Sequence, residues 1–308
     1  MHSARPMTRE ALQAALERAD DHEEWVRVLA DYFDAAGLFY GHGTDNAGDE
    51  AFWLIRHLQG WREGAFEAKP DASLAGTAAE IAERRATLRK PLAYLLGEAW
   101  FAGLPFHVDE NVLIPRSPLA EVIEGCFAPW VAIEPGVRIL DVGTGSGCLA
   151  IAAAVHCDGV IVDATDVSKA ALAIARRNVE RHGVADRVRL IEADLFPSAR
   201  ERYRVIMSNP PYVPARQLES LPPEYRHEPA LALVGGETGV EPAERLLEAA
   251  GDWLEPGGIL LVEVGAEAEP LIERHPRLPF TWLELERGGE GVFVVTAEQL
   301  AEYRERSR

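Results

Sequence analysis

The sequence of 308 residues has few cysteines, fewer basic than acidic residues and no long apolar run. Its three cysteines, Cys126, Cys148 and Cys157, lack the pairing of a metal site, so we expect reduced thiols in a cytoplasmic protein. The first residues lack the pattern of a signal peptide and no apolar stretch approaches the length of a membrane span, so we expect neither a signal peptide nor a transmembrane segment. The net charge of −19 argues against a broad nucleic-acid-binding surface. The acidity suits a basic protein partner or simply provides solubility.

Helical periodicity dominates residues 1–90, which we predict to form a small helical domain. Apolar residues within 25–33 and 52–58 fall on one helix face each, and Gly37 provides a stop after the first of these helices. The intervening loop contains His42 and Asp45, a pair that suits either a metal ion or hydrogen bonds within the loop and a helix cap. We expect the second role and no metal site.

Residues 91–118 consist of short apolar and aromatic segments divided by glycine and proline, which predicts a β-hairpin linker. Arg116 closes this linker and could contact a substrate or serve as a salt-bridge partner. From Val137 onward, strand and helix patterns alternate, which predicts an α/β domain over residues 119–308.

A glycine turn follows the first strand of this domain. Residues 137–142 have the pattern of a buried strand, Gly143 to Gly147 form a Gly-x-Gly-x-Gly turn, and an Ala-rich helix begins at Cys148. Glycine is needed where backbone approaches a ligand closely. Because the turn joins a strand to a helix and follows Asp141, it indicates a nucleotide-type ligand rather than a chance motif.

Three aspartates, Asp141, Asp166 and Asp194, each fall at the carboxyl end of a predicted strand. Any one of them alone is more often a helix cap or a turn residue. Because carboxyl ends of parallel strands share one edge of a sheet, the three together suggest a ligand with an amine, a ribose and a purine. No Gly-Lys-Ser/Thr sequence ends the glycine turn, which argues against a triphosphate-binding loop.

The strand at residues 205–207 runs into Asn209-Pro210-Pro211-Tyr212. Neither proline can donate to a sheet ladder, so the strand ends in a stiff loop at the ligand-binding edge. A carboxamide and a fixed carbonyl held close together are acceptors for the two hydrogens of a planar –NH2 group, and a tyrosine offers a stacking face. The alternative is an ordinary proline-rich turn.

These motifs resemble the S-adenosylmethionine-dependent class I methyltransferases. Within this class the chain is similar to the HemK/Prm family, whose members methylate glutamine side-chain amides in translation proteins. The resemblance covers nearly the whole chain, including residues 114–116 and 226–229. It implies a Rossmann-like domain with a seven-stranded, mostly parallel sheet and an antiparallel last strand, preceded by a helical domain and a β-hairpin.

The resemblance also implies the cofactor S-adenosylmethionine and roles for individual residues. Asp141 would lie near its methionine part, Asp166 would bind the ribose and Asp194 the adenine amine. Asn209 and the Pro210 carbonyl would bind the substrate amide. The expected catalytic residues are Asn209, Pro210, Pro211 and Tyr212. The expected cofactor contacts are Asp141, Gly143, Thr144, Gly145, Gly147, Asp166, Val167, Asp194, Leu195 and Asn209. The expected substrate-side residues are Phe106, Arg116 and Glu228.

Residues 35–46, 99–101 and 279–284 resemble the family members that act on the third large-subunit ribosomal protein, uL3. Their resemblance to the family members that act on the Gly-Gly-Gln of release factors is weaker. The resemblance therefore implies a protein-glutamine N5-methyltransferase with uL3 as its partner, no DNA or membrane partner, and a substrate-recognition role for residues 1–90.

Two other functions fit parts of the pattern. An adenine-N6 methyltransferase could use the same loop for a flipped base, but the acidic charge and the lack of a basic recognition segment argue against it. A non-catalytic cofactor-binding module could chaperone ribosomal proteins, but it would have no need of an amide-binding loop. A measurement of methyl transfer would distinguish such a binding module from an enzyme.

Overall fold

Helices form most of the first 98 residues in the computed structural model, which describes residues 7–60, 69–199 and 201–306. Side-chain oxygens of Thr8, Asp21 and Asn46 accept hydrogen bonds at the starts of the first three helices, as expected for N-caps. Asn46 belongs to the loop from which we expected a helix cap. The helices are α1 (Arg9–Arg18), α2 (His22–Ala35), α3 (Ala47–Gln59), α4 (Ala75–Leu88) and α5 (Leu92–Leu96).

The chain divides into two compact units. One contains the described residues up to Glu98 together with Pro222–His227, and the other contains Ala99–Leu221 and the chain from Glu228 onward. The segment Pro223–His227 is a 3₁₀-helix that belongs to the helical unit although it lies far along the sequence. Among the described residues, no helix is long and apolar enough to cross a bilayer.

The hairpin of the linker is shorter than its apolar segments suggested. Strands β1 (Glu98–Phe101) and β2 (Leu104–His107) pair with each other. The preceding segment is helix α5, which begins after Pro91 and ends at Gly97 in the left-handed conformation with a φ of 68°. Short apolar runs do not distinguish a strand from a helix, and here the proline and the glycine define one helical turn.

The second unit is built on a seven-stranded sheet, which confirms the expected fold class. Its strands are β3 (Arg138–Val142), β4 (Ile161–Asp166), β5 (Val188–Glu192), β6 (Tyr203–Ser208), β7 (Leu254–Glu263), β8 (Thr281–Trp282) and β9 (Val292–Thr296). They lie in the order β5-β4-β3-β6-β7-β9-β8. The pairs from β5 to β7 are parallel, whereas β9 is antiparallel to both β7 and β8.

The helices that pack against the sheet are α6 (Leu119–Glu124), α7 (Cys148–His156), α8 (Lys169–Arg181), α10 (Glu241–Ala249), α11 (Ala268–Arg274) and α12 (Ala297–Arg306). The short helix α9 (Ala230–Leu233) precedes α10 in the chain. Successive residues of β3 contribute to two different cores: Ile139 packs with the apolar residues of α7, and Leu140 packs with Leu246 and Leu247 of α10. A strand buried on both faces is mostly apolar in sequence, which explains why four of the six residues 137–142 are Val, Ile or Leu, although Arg138 and Asp141 interrupt them.

The expectation of three reduced thiols is wrong for two of them. Cys126 and Cys157 form a disulfide in the structure, with Cα atoms 5.4 Å apart, and Cys148 is the free cysteine. Cys126 follows α6 and Cys157 ends α7, so the packing of these helices joins cysteines that are 31 residues apart in sequence.

A buried ion cluster lies within the helical unit. The Arg85 guanidinium, which is 1% exposed, donates to the Glu50 carboxylate, to Glu224 at 3.3 Å and to the carbonyl of Phe39 at 2.8 Å. Glu224 also accepts from the Phe39 amide at 3.0 Å and pairs with Arg89 at 2.8 Å. One arginine therefore neutralises carboxylates from α3 and from the segment 222–227.

We expect Arg85→Met to lower the free energy of unfolding by about 3–5 kcal/mol, because it leaves two buried carboxylates with fewer cationic partners. Urea unfolding followed by circular dichroism measures this change. The control is Arg84→Met, at the exposed neighbouring position, which should stay within about 0.5 kcal/mol of the parent. Equal effects of the two substitutions would show that the cluster contributes little.

Candidate active site

A cavity of about 440 Å³ lies in the second unit, at the carboxyl ends of β3, β4, β5 and β6. This is the edge at which open α/β sheets bind ligands. The expected site residues that line it are Gly143, Thr144, Gly145, Asp166, Val167, Asp194, Leu195, Asn209, Pro210, Pro211 and Arg116. The structure therefore brings together most residues that were chosen from separate motifs.

The glycine turn needs glycine for two different reasons. Gly143 and Gly145 have φ values of +73° and +57°, and a Cβ atom at either position would meet no protein atom within 4 Å. Gly147 has a φ of +83°, and its Cβ would lie 3.1 Å from Ile151 Cδ1 and 3.3 Å from Ala175 Cβ. The first two glycines keep the wall of the cavity open, and the third allows α7 and α8 to pack closely.

Thr165, near the end of β4, connects the loops that follow the two neighbouring strands. Its carbonyl accepts from the amides of Gly143 at 2.9 Å and Thr144 at 2.8 Å, and its hydroxyl donates to the Leu195 carbonyl at 2.7 Å. Leu195 has a φ of +68°, a strained conformation for a residue with a side chain. Our sequence analysis missed Thr165, because a threonine inside a strand gives no local signal of a loop contact.

Asp141 lies beneath the glycine turn rather than among the residues that line the cavity. Its side chain is fully buried, and Oδ2 accepts from the Thr144 hydroxyl at 2.5 Å and from the Ala150 amide at 3.2 Å. Burial raises the pKa of Asp141 from 3.8 to about 7. The carboxyl group thus fixes the turn from below and joins it to the start of α7.

Asp166 and Asp194 differ from Asp141 because they line the cavity. Asp166 accepts from the amides of Gly145 at 2.9 Å and Ser168 at 2.8 Å, which joins the glycine turn to the start of α8. Asp194 pairs with Arg245, also a lining residue, at 2.8 Å, and both side chains are more than half exposed. Each carboxylate retains acceptor capacity for a ligand.

The Asn-Pro-Pro-Tyr loop begins where β6 ends beside β3. The Ser208 hydroxyl donates to the Val142 carbonyl at 2.7 Å, and Asn209, Pro210 and Pro211 then line the cavity. Tyr212 is the next residue, and its phenol donates to Glu263 at 3.1 Å. The first three residues of the loop therefore line the cavity, whereas its tyrosine hydroxyl bonds to the end of β7.

The expected substrate-side residues occupy different positions. Arg116 lines the cavity and forms a bidentate ion pair with Glu228, at 2.6 and 2.7 Å. Glu228 also accepts from the Ile114 amide at 3.1 Å, so it supports the Arg116 segment. The structure does not bring Phe106 to the cavity, because this side chain is fully buried against Phe101 and His182.

The cavity has the groups that S-adenosylmethionine requires. The open glycine backbone leaves room for the amino-acid part, and two acidic side chains on the wall can accept from hydroxyls and from an amine. These residues fit a nucleoside-type cofactor that carries no phosphate.

The sheet order and the grouping of these motifs at one edge define a class I methyltransferase. In agreement, the family model of the methyltransferase small domain matches residues 129–221. A methyltransferase crystal structure from Pyrococcus furiosus is 24% identical and covers 63% of this chain and 89% of that chain, with a TM-score of 0.46.

Closer relatives have a more specific name. The ribosomal protein uL3 glutamine methyltransferase of Neisseria meningitidis serogroup B is 45% identical over 89% of this chain and 92% of the relative. The enzyme of the same name from Neisseria gonorrhoeae is 43% identical over 89% of this chain and 94% of the relative. The chain belongs to this family of glutamine methyltransferases.

Asp141 should give the stability of the protein a measurable pH dependence. Its pKa is raised on folding from 3.8 to about 7, so its contribution to stability is complete below about pH 4 and is lost as the pH rises through 7. Asp141→Asn cannot ionise. The unfolding free energy of this variant minus that of the parent should therefore increase between pH 5 and pH 8, as urea unfolding at several pH values would measure.

Asp163→Asn is the control for this experiment. The pKa of Asp163 is lowered, because hydrogen bonds from Arg189 and Tyr203 outweigh its burial, so its contribution is lost only as the pH falls below its usual value. The difference between Asp163→Asn and the parent should be constant between pH 5 and pH 8. A constant difference for Asp141→Asn would contradict the raised pKa.

Proposed function

We propose that this protein transfers a methyl group from S-adenosylmethionine to the side-chain nitrogen of a glutamine in ribosomal protein uL3. The observation that carries the proposal is the position of Asn209, Pro210 and Pro211 in the cavity that also contains the glycine turn and Asp166. The substrate follows from the family, whose members are named for uL3.

The cofactor would occupy the side of the cavity formed by the loops after β3, β4 and β5. Asp166 would accept from the ribose hydroxyls and Asp194 from the adenine amine, while Val167 and Leu195 would contact the adenine. The backbone of Gly143 to Gly147 would accommodate the amino-acid part. Asp141 would act from beneath the turn, through Thr144 and Ala150.

The Asn-Pro-Pro-Tyr loop would bind and polarise the substrate amide. An amide nitrogen is a poor nucleophile because its lone pair is delocalised into the carbonyl. The Asn209 side-chain oxygen and the Pro210 carbonyl would accept its two hydrogens and favour a pyramidal nitrogen, an interaction that strengthens as charge develops. Pro211 keeps this loop stiff, because a proline has a fixed φ.

S-adenosylmethionine supplies an activated methyl group on a sulfonium with a neutral leaving group. The protein then mainly has to orient the amide nitrogen and exclude water. A strong general base is not required before transfer, because the nitrogen proton becomes acidic once the nitrogen is alkylated. The loop accordingly consists of an amide, two prolines and a phenol, without a histidine, lysine or carboxylate.

We infer that residues 1–90 recognise the ribosomal protein, and that Arg116 with its partner Glu228 shapes the substrate side of the cavity. A net charge of −19 is suited to a basic protein partner, because complementary charges accelerate encounter. A ribosomal protein is made and assembled in the cytoplasm, so we expect the activity in that compartment.

Asn209→Ala should lower kcat by a factor on the order of 10²–10³, as removal of one polarising group does in other enzymes. The dissociation constant for S-adenosylmethionine should change less than about threefold, because the glycine turn and the acidic side chains remain. Transfer of labelled methyl and equilibrium dialysis measure the two quantities. Normal turnover by Asn209→Ala would remove Asn209 from the proposed role.

A panel of acceptors tests the substrate. The purified protein is incubated with methyl-labelled S-adenosylmethionine and, separately, with uL3, a release factor or duplex DNA. We expect label on uL3 alone, and no label when the target glutamine of uL3 is changed to alanine.

Each other outcome identifies a specific error. Label on the release factor would keep glutamine as the acceptor and overturn uL3 as the substrate. Label only on DNA would mean that the loop binds an aromatic amine in a flipped base. Cofactor binding without transfer to any acceptor would favour the non-catalytic binding module.

A further inference from the structure

Glu263 occupies an unusual position for a carboxylate. It ends β7 after the buried residues Ile259 to Val262, and it is 5% exposed. In the parallel register of β6 and β7, Val262 pairs with Ser208, so Glu263 follows at the level where β6 gives way to Asn209. The described contacts of its carboxylate are to two hydroxyl groups rather than to a cation.

Both oxygens of Glu263 have hydroxyl donors. Oε1 accepts from the Tyr212 phenol at 3.1 Å, and Oε2 accepts from the Ser117 hydroxyl at 2.5 Å. Ser117 Oγ in turn accepts from the Leu119 amide at 3.2 Å, at the start of α6. Burial raises the pKa of Glu263, while these two hydrogen bonds and the charge of Arg116 oppose the rise.

Packing alone does not explain this side chain. Taking a carboxylate out of water costs several kcal/mol, and an apolar residue of similar volume is often neutral or stabilising at such a position. The remaining explanation is that the carboxylate connects two segments through its two hydrogen bonds. The hydrogen bond from Tyr212 comes from the loop after β6, and the hydrogen bond from Ser117 comes from the segment that follows the hairpin.

The backbone of three glycines packs closely against Tyr212 and Pro211. A Cβ on Gly265 would lie 2.8 Å from the Tyr212 ring, a Cβ on Gly239 would lie 2.4 Å from the Tyr212 carbonyl oxygen, and a Cβ on Gly235 would lie 2.5 Å from the Pro211 carbonyl oxygen. The backbone therefore encloses the loop so closely that the phenol has a defined direction toward Glu263.

We propose that Glu263 is a positioning residue of the methyl-transfer site, which fixes the wall formed by Asn209 to Pro211 relative to the wall formed by Pro115 to Ser117. Both walls line the same cavity, and Glu263 itself does not. It therefore acts through Tyr212 and Ser117 rather than on the substrate. The inference rests on the proposed function, because the positioned groups are those that bind the glutamine amide.

The test compares Glu263→Met and Tyr212→Phe with the parent, using uL3 as the acceptor. Methionine is close to glutamate in volume and removes both hydrogen bonds, and phenylalanine removes one of them. We expect kcat to fall about 10–100-fold in Glu263→Met, because small misplacements of reacting groups are costly. The dissociation constant for S-adenosylmethionine should change less than about threefold. Adding Tyr212→Phe to Glu263→Met should cause no further loss, as expected for residues that act as one unit.

Tyr203→Phe is the matched control. The Tyr203 phenol donates to the Asp163 carboxylate at 2.8 Å, and both residues are buried in the same sheet without lining the cavity. This variant should lower the melting temperature and leave kcat unchanged. An equal loss of kcat in Tyr203→Phe and Glu263→Met would overturn the inference, and so would normal kcat in Glu263→Met.

Hydrogen exchange of residues 208–215, followed by mass spectrometry, tests the positioning without any substrate. Exchange in this segment should be at least about tenfold faster in Glu263→Met than in the parent, and unchanged in Tyr203→Phe. If the parent does not methylate uL3, the proposed function fails and the exchange result still decides the role of Glu263. Unchanged exchange in Glu263→Met would overturn that role.

Discussion

The parallel alignment of β3, β4 and β6 is the constraint on which the candidate site depends. Asp141 pairs with Ala164 on one side and with Met207 on the other, so the loops that follow all three strands emerge at one edge. Side chains alternate between the faces of a strand, and a shift of one residue would exchange the buried and exposed sets. The two apolar cores therefore hold the register, and the register in turn brings the glycine turn beside the Asn-Pro-Pro-Tyr loop.

Hydrogen bonds between neighbouring loops then convert this alignment into a stiff site. Thr165 connects the turn after β3 to Leu195 after β5, and Ser208 connects the end of β6 to β3. The prolines of the Asn-Pro-Pro-Tyr loop cannot donate to a sheet ladder, so the loop leaves the sheet at this point and Asn209, Pro210 and Pro211 line the cavity. A reaction that depends on orientation and polarisation rather than on proton abstraction benefits most from such rigidity.

The sequence predicts the parts of this site that have local physical signatures. Glycine in the turn and proline at Pro210 and Pro211 restrict the backbone whatever surrounds them, so their consequences are visible without the fold. Contacts between distant residues leave no such signature. Ser117 and Glu263 are 146 residues apart, and a carboxylate at the end of an apolar strand was the only hint of their bond. The disulfide and the return of segment 222–227 to the helical unit were missed for the same reason.

Residue type alone also fails to separate binding groups from supporting groups. Asp141 and Asp166 lie near the carboxyl ends of adjacent parallel strands, yet of the two only Asp166 lines the cavity. Asp141 pairs with Ala164, two residues before Asp166, so it lies deeper in the sheet. Thr144 and Ala150 donate to its carboxylate from the glycine turn and from α7. Glu263 repeats this arrangement at the end of β7, where hydroxyls from two loops converge on one buried carboxylate. A buried carboxylate accepts from several directions at once, so it can join loops that share no sheet partner. Asp166 and Asp194 line the cavity at the same edge and retain acceptor capacity, so the depth of an acidic side chain determines which groups it can contact.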